Sequence, residues 1–220
     1  MSDFKYHRPD NFPPIVKNLI IINVLVFVAQ LIYDREGGAL TYRLTNAIAL
    51  YPVGTPEFRP YQIATHMFAH SSYNPYSQNI EFFHILFNMF SLWMFGRILE
   101  NVWGHKRFLL FYLVCGVGAA AAHLAVQYFT GDYSAAVGAS GAVMGVFVAF
   151  GYLFPNTELY FMFIPIPIKA KWVVIGFAAY DIFGGVRGGD QIAHFAHLGG
   201  ALTGFILVLI WNRKNRRRFY

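Results

Sequence analysis

Long apolar runs alternate with short polar breaks along this chain. The first run, "IVKNLIIINVLVFVAQLIY", covers residues 15–33; the others lie at 82–99, 107–129, 137–154, 171–184 and 192–211. A helix needs about 20 mainly apolar residues to cross the hydrocarbon layer of a bilayer. The pattern therefore predicts six transmembrane helices, of which the fourth and fifth are short and glycine-rich. A further apolar stretch, "LYFMFIPIPI" (159–168), is too short to span and carries Pro165 and Pro167. It is predicted to be a connection lying at the membrane interface. The segment between the first and second runs, 34–81, is long but unlike a linker. Within it, "FRPYQIATHMFAHSS" (58–72) has helical spacing and many apolar positions. Loops of that length with structure of their own usually carry function, and the segment is expected to lie partly in the outer leaflet, as an amphipathic segment does. The expected fold is an all-α membrane protein: a six-helix bundle over 15–212 with a long structured outer loop between helices 1 and 2, a polar lead-in at 1–14 and a basic tail at 213–220. No internal repeat suggests a transporter built from duplicated halves.

Composition strengthens the membrane reading. The chain is 56% hydrophobic and only 13% charged, against about 25% charged in ordinary globular domains. The first run is long, and "YDREGG" after it is a poor small-residue cleavage site, so it reads as a retained anchor rather than a signal peptide. The net charge of +6 is a topology signal. Lys5, Arg8, Lys17, "GHKR" (104–107), "KAK" (169–171) and "NRKNRRR" (212–218) all fall on one side of a six-span chain. The loops with Asp34, Asp132 and Asp190 fall on the other. The positive-inside rule then puts both termini in the cytoplasm, with the bacterial inner membrane as the expected location. Membrane lipid and membrane-spanning proteins are the expected partners, and nucleic acid is not. The single cysteine, Cys115, makes no intrachain disulfide and no cysteine-rich metal site.

Polar groups inside spans are costly and mark function by default. In "HILFN", His84 and Asn88 are four apart and share a helix face; both can donate hydrogen bonds. Ser140 stands among Gly138, Ala139, Gly141 and Ala142, and Gly141 with Gly145 forms a close-approach G-x-x-x-G surface. The G-x-S-x-G elbow of soluble hydrolases is absent. In "HFAHLGGALTG" (194–204), His197, Gly200, Ala201 and Gly204 line one face. Alone, each constellation also reads as ordinary packing or an interhelical hydrogen bond. Together they place a hydroxyl and an imidazole on two small-residue faces that can meet, which is the nucleophile–base unit of covalent catalysis. His84, Asn88 and the backbone N–H groups of Ala139 and Ser140 are the candidate donors for an oxyanion. His197 has no carboxylate neighbour in its own helix, and no third, carboxylate member is expected. His66 and His70 are four apart but lack a third close ligand; hydrogen bonds within the outer loop suit them better than a metal. No metal or cofactor is expected. His194 either tunes His197 or satisfies a loop carbonyl, and His105 and His123 read as structural or solvated.

These residues resemble the rhomboid intramembrane serine proteases. The resemblance rests on "HILFN" in span two, "GASG" heading span four and "AHLGG" in span six, with "ENVWG" (100–104) and "THMFAH" (65–70) as supporting elements. It covers about residues 15–212, and the order and spacing of the motifs make the set specific. It implies a rhomboid-like six-helix bundle with a water-filled cavity open to the outer side. It also implies Ser140 as nucleophile, His197 as general base, and an oxyanion hole from His84, Asn88 and the Ser140 N–H. The implied substrates are membrane-spanning segments with small residues at the cut and helix-breaking residues nearby. Two positions depart from many rhomboids: Tyr61-Gln62 replaces Trp-Arg, and Met144 stands where a tyrosine follows the serine by one turn. "SYNPYSQNIE" (72–81) resembles an insertion. Two other functions compete with the Ser-His endopeptidase: a catalytically inactive rhomboid-like protein that binds membrane clients, and a channel or transporter. Retention of Ser140 and His197 weighs against the first, and the absence of repeated halves against the second.

Overall fold

A computed structural model describes residues 9–161, 164–187 and 193–215. Helix α1, Pro14–Tyr33, opens on a proline, whose missing N–H costs nothing in a first turn,. A short hairpin follows, β1 Arg35–Glu36 with β2 Ala39–Leu40, then α2 Arg43–Ile48 and α3 Gln62–Thr65, which runs into a 3₁₀ turn at His66–Phe68. The second long rod is continuous over Phe82–Trp103. It comprises α4 Phe82–Ser91, a π-helical turn at Leu92–Gly96, and α5 Arg97–Trp103. Gly104, at φ 78°, turns the chain into α6, His105–Thr130. Then come α7 Ser140–Leu153, a hairpin of β3 Glu158–Phe161 and β4 Ile164–Lys169, α8 Ala170–Arg187 and α9 His194–Asn215.

Each predicted apolar run is occupied by helix. Pro14–Tyr33, Phe82–Trp103, His105–Thr130 and His194–Asn212 are long and apolar enough to cross a membrane. At 14 residues, α7 is about 21 Å long at ~1.5 Å per residue, shorter than the ~30 Å hydrocarbon layer. α8 carries Lys171, Asp181 and Arg187 among its apolar positions. The connection predicted at 159–168 is built on β3 and β4, which pair Glu158 with Lys169 and Leu159 with Ile168, so the helical fold carries two small hairpins. One expectation needs correction: span four starts later than 137, because Gly138 sits at φ 128° and donates its N–H to the His66 carbonyl at 2.9 Å. That bond holds it outside the helix. The ends of the lead-in (residues 1–8) and of the tail (216–220), together with Asp190, lie outside the described residues.

The short helix α7 is the centre of the molecule. From Gly141 to Gly151 every residue except Met144 is buried, as a helix apolar on all sides must be. Glycine lets α9 close on it: a Cβ at Gly200 would overlap the Gly141 carbonyl oxygen, and one at Gly204 would lie 2.7 Å from the Gly145 Cα. Leu25, Ile32, Leu110, Val117, Phe183 and Leu202 remain exposed on the outer faces, where lipid would cover them. One end of the bundle is fastened by Glu100. Its buried carboxylate accepts from Ile15 N–H at 2.9 Å and Val16 N–H at 2.8 Å, satisfying two of the unpaired donors at the start of α1. This is the physical work of "ENVWG": the glutamate caps one helix and the glycine turns into the next.

Candidate active site

Ser140 is the first residue of α7. Gly141, beside it, packs on Ala119 of α6. Ala119 lies 11 residues from the Thr130 end, about 16 Å at the helical rise. The hydroxyl therefore lies well below that end of the bundle, with intermediate exposure. His197 reaches it from the first turn of α9, with Nε2 2.8 Å from Ser140 Oγ. The other ring nitrogen, Nδ1, lies 3.0 Å from Asp181 Oδ1 on α8. A carboxylate oxygen only accepts, so Nδ1 carries the proton and Nε2 is left to accept from the serine hydroxyl. His194 completes the cluster: its Nδ1 lies 2.8 Å from the same Asp181 Oδ1. Asp181 and His194 are buried, their side chains 2% and 3% exposed, while His197 is 19% exposed. Gly184 makes room for His194, since a Cβ there would overlap its ring.

Asp181 was not singled out in the sequence, and the expectation of no carboxylate member is corrected by this geometry. A signal was present: Asp181 is the one acid in the predicted span 171–184, and an ionisable residue inside a span is a functional candidate by default. Its partners lie on another helix, so no local spacing pointed to it. Asp181, His194 and His197 also offer three possible metal ligands within 4.8 Å of one another. Both Nδ1 atoms, however, stand at hydrogen-bond distance from a single carboxylate oxygen, which is the geometry of two N–H donors sharing an acceptor.

His84 approaches from α4. Ser71 N–H donates to its Nδ1 at 3.1 Å, so in the neutral ring the proton is on Nε2. A Cβ at Gly138 would lie 3.1 Å from that Nε2 and 3.4 Å from Ser140 Oγ. Glycine thus keeps a small space open between a ring N–H donor and the serine. The first bond of α7 runs from Val143 N–H to Ala139 O at 2.9 Å. The N–H groups of Ser140, Gly141 and Ala142 precede it, as unpaired donors at a helix start do. Asn88 is buried one turn along α4, where its Nδ2 donates to the His84 carbonyl at 2.8 Å; the amide has a second hydrogen to give. Met144 packs at the edge of the core cluster.

The outer loop holds these parts in place. Gln30 of α1 grips the backbone of His70 on both sides, donating to its carbonyl at 2.7 Å and accepting from its N–H at 2.9 Å. His70 Nε2 donates to Asn23 Oδ1 at 2.9 Å, and its ring meets that of His84 edge-on, 5.2 Å between centroids. Burial pushes the His70 imidazole down to about 3 and the His66 imidazole down to about 4. Asp34, fully buried after α1, accepts from Leu44 N–H at 2.8 Å, Thr45 N–H at 2.9 Å and Ser72 Oγ at 2.8 Å. Where many rhomboids carry Trp-Arg, Gln62 is buried. Its Oε1 accepts from Arg59 N–H at 3.0 Å and its Nε2 donates to Glu57 O at 3.1 Å. The 72–81 segment folds back on itself through a Tyr73–Ile80 bridge around Asn74.

Fold and site together define a polytopic helical membrane protein that buries a serine–histidine–aspartate hydrogen-bond chain among its helices. The chain belongs to the rhomboid family: the Rhomboid domain model matches residues 57–214. It is 31% identical over 207 residues to the human presenilin-associated rhomboid-like protein, mitochondrial, a match covering 91% of this chain and 50% of that protein. It is 28% identical over 203 residues to rhomboid-like protein 11, chloroplastic, of Arabidopsis thaliana, covering 89% and 64%. With rhomboid protein 1, mitochondrial, of Saccharomyces cerevisiae it shares 29% identity over 134 residues, covering 57% and 37%. The chain spans about half the length of the human and other mammalian relatives it matches.

Proposed function

We propose that this rhomboid is an intramembrane serine endopeptidase that cuts membrane-spanning segments of other proteins. The observation that carries the reading is the 2.8 Å contact between Ser140 Oγ and His197 Nε2, with the His84 ring and the serine hydroxyl both bordering the space at Gly138. Ser140 Oγ attacks a peptide carbonyl carbon while its proton passes to His197 Nε2. The negative charge on the carbonyl oxygen is met by His84 Nε2–H, Asn88 Nδ2–H and the backbone N–H groups of Ala139, just before α7, and of Ser140, its first residue. Such preorganised donors are worth more in a water-poor site than in bulk water. Collapse of the adduct breaks the C–N bond, and His197 returns the proton to the departing amine. Water then attacks the acyl ester as it gives a proton to His197 Nε2; the bond from the acyl carbon to Ser140 Oγ breaks, Oγ recovers the proton, and the new carboxylic acid leaves. The substrate helix must unwind first, because a helical peptide bond keeps its carbonyl in the backbone ladder.

The domain plan follows the same reading: a six-crossing bundle over 15–212, with α7 and α8 as the short crossings, flanked by the polar segment 1–14 and the basic tail 213–220. The termini lie on the lysine- and arginine-rich side, and the serine opens toward the other. In a bacterial inner membrane that side is the cytoplasm; the relatives' names place those proteins in mitochondria and chloroplasts.

A fluorophosphonate probe tests the chemistry. It should label the purified protein, with the adduct mapped by peptide mass spectrometry to Ser140, and His197→Ala should lose labelling while still inserting and folding. Absence of label on wild-type protein, or label unchanged in Ser140→Ala, overturns the assignment and favours a client-binding protein without catalysis.

A further inference from the structure

The geometry points to Asp181 as a positioning residue for the proposed reaction, held ready by His194, so that the catalytic unit is a relay through three helices. We infer that the carboxylate fixes His197 in the tautomer and ring orientation that leave Nε2 facing Ser140. This rests on the endopeptidase reading above, and it adds a residue to which nothing in the motifs assigns a role.

Three observations carry it. First, both contacts of the His197 ring are in place at once, Nε2 on Ser140 Oγ at 2.8 Å and Nδ1 on Asp181 Oδ1 at 3.0 Å. A neutral imidazole has one proton, so a carboxylate at Nδ1 decides where it sits. Second, Asp181 is nearly inaccessible and lies within an otherwise apolar turn, "FAAYDIFGG". A carboxylate in that setting is costly unless it is hydrogen-bonded, and its partners are the two histidine N–H groups. Third, the second donor is built in. His194 is buried, its Nδ1 is 2.8 Å from Oδ1, and Gly184 leaves the room that its ring occupies. His194 thus fixes the carboxylate from one side, and the carboxylate fixes His197 from the other. The imidazolium formed when Ser140 gives up its proton also gains an adjacent negative charge, which favours the transition state over the ground state.

The test uses the full chain purified in detergent micelles. Cleavage of a transmembrane substrate and the rate of fluorophosphonate labelling are compared for wild type, Asp181→Asn, His194→Gln and Ser140→Ala. Nitrogen-15 histidine NMR reads the His197 tautomer. The expected result is a His197 ring protonated on Nδ1, with that proton shifted far downfield by the shared hydrogen bond. In Asp181→Asn that signal should be lost and kcat should fall by about 10²–10⁴-fold, the range of a general base's contribution, with KM unchanged. His194→Gln should cause a smaller loss in kcat. Wild-type kcat in Asp181→Asn overturns the proposal, as does a His197 ring without a proton on Nδ1. The NMR reading is taken on the wild-type protein, so the proposal stays falsifiable if the asparagine variant does not fold. Loss of activity on chelation, restored by zinc, would also overturn it, by making the cluster a metal site. Cleavage by Ser140→Ala at the wild-type rate would instead strike the endopeptidase reading itself. The two failures are therefore distinct.

Discussion

The histidines of this protein divide by what each ring nitrogen touches. His197 and His84 each have one nitrogen set by a partner, Asp181 Oδ1 and Ser71 N–H respectively, and the other turned toward the serine. His66 and His70 are used differently: they are buried neutral rings that lock the outer loop. The reading of hydrogen bonds within the outer loop holds for His66, whose Nδ1 donates to the Gln62 carbonyl at 2.9 Å, but His70 is held by Asn23 and Gln30 of α1 instead. Those partners lie 40 or more residues away in the chain, and no spacing rule reaches that far. The low values, about 4 for His66 and about 3 for His70, have a consequence for stability. An unfolded histidine titrates near 6.5. Between that value and the folded ones the unfolded chain holds more protons, so stability is full above about 6.5 and falls as the pH drops toward 4. The thermal midpoint of the micelle-bound protein should fall on going from pH 7.5 to 4.5, with a shallower fall in His70→Gln. A midpoint constant across that range would contradict the burial argument.

Helix contacts decide whether the residues meet. The small-residue faces were legible: Gly200 and Gly204 fall on the His197 face, and Gly141 and Gly145 answer them on α7. Their closeness is greater than patterns convey, since there is no space at Gly200 for even one carbon beside the Gly141 carbonyl. Gly151, further along α7, is also packed, with a Cβ there lying 2.5 Å from Val174 Cγ2. Gly176, by contrast, faces open space. Gly200→Val should therefore reduce cleavage and probe labelling about 10²-fold, the cost of a displacement near 1 Å, while Gly176→Ala should leave both unchanged; paired labelling rates check this. Equal rates in Gly200→Val and wild type would mean that α7 and α9 do not have to touch there. The pairing of β3 with β4 was the element least legible. The prolines at 165 and 167 and the short apolar run showed a connection at the membrane interface but not whether it is paired, and only the partner strand Glu158–Phe161 decides that.

For the whole molecule, hydrophobic patterning was enough to give the helical membrane class and the location of every long helix. Motif order was enough to point to the rhomboid family, to which the chain belongs. What patterning could not supply is depth. Ser140 heads a short, largely buried helix against the middle of the longest one, so a chain that would read as a simple bundle has a polar site part-way through it. That site joins α4, α7, α8, α9 and the outer loop, so its geometry depends on the assembled fold rather than on any one element. The central claim is that this assembly hydrolyses peptide bonds within membranes through Ser140. It is tested most directly by reconstituting the purified protein with a model single-span substrate in liposomes and following product by mass. Wild-type protein should release two fragments cut within or beside the membrane-spanning segment, and Ser140→Ala should release none at equal insertion and thermal midpoint. The same fragments at the same rate from Ser140→Ala, or no cleavage by either protein across several single-span substrates, would contradict it.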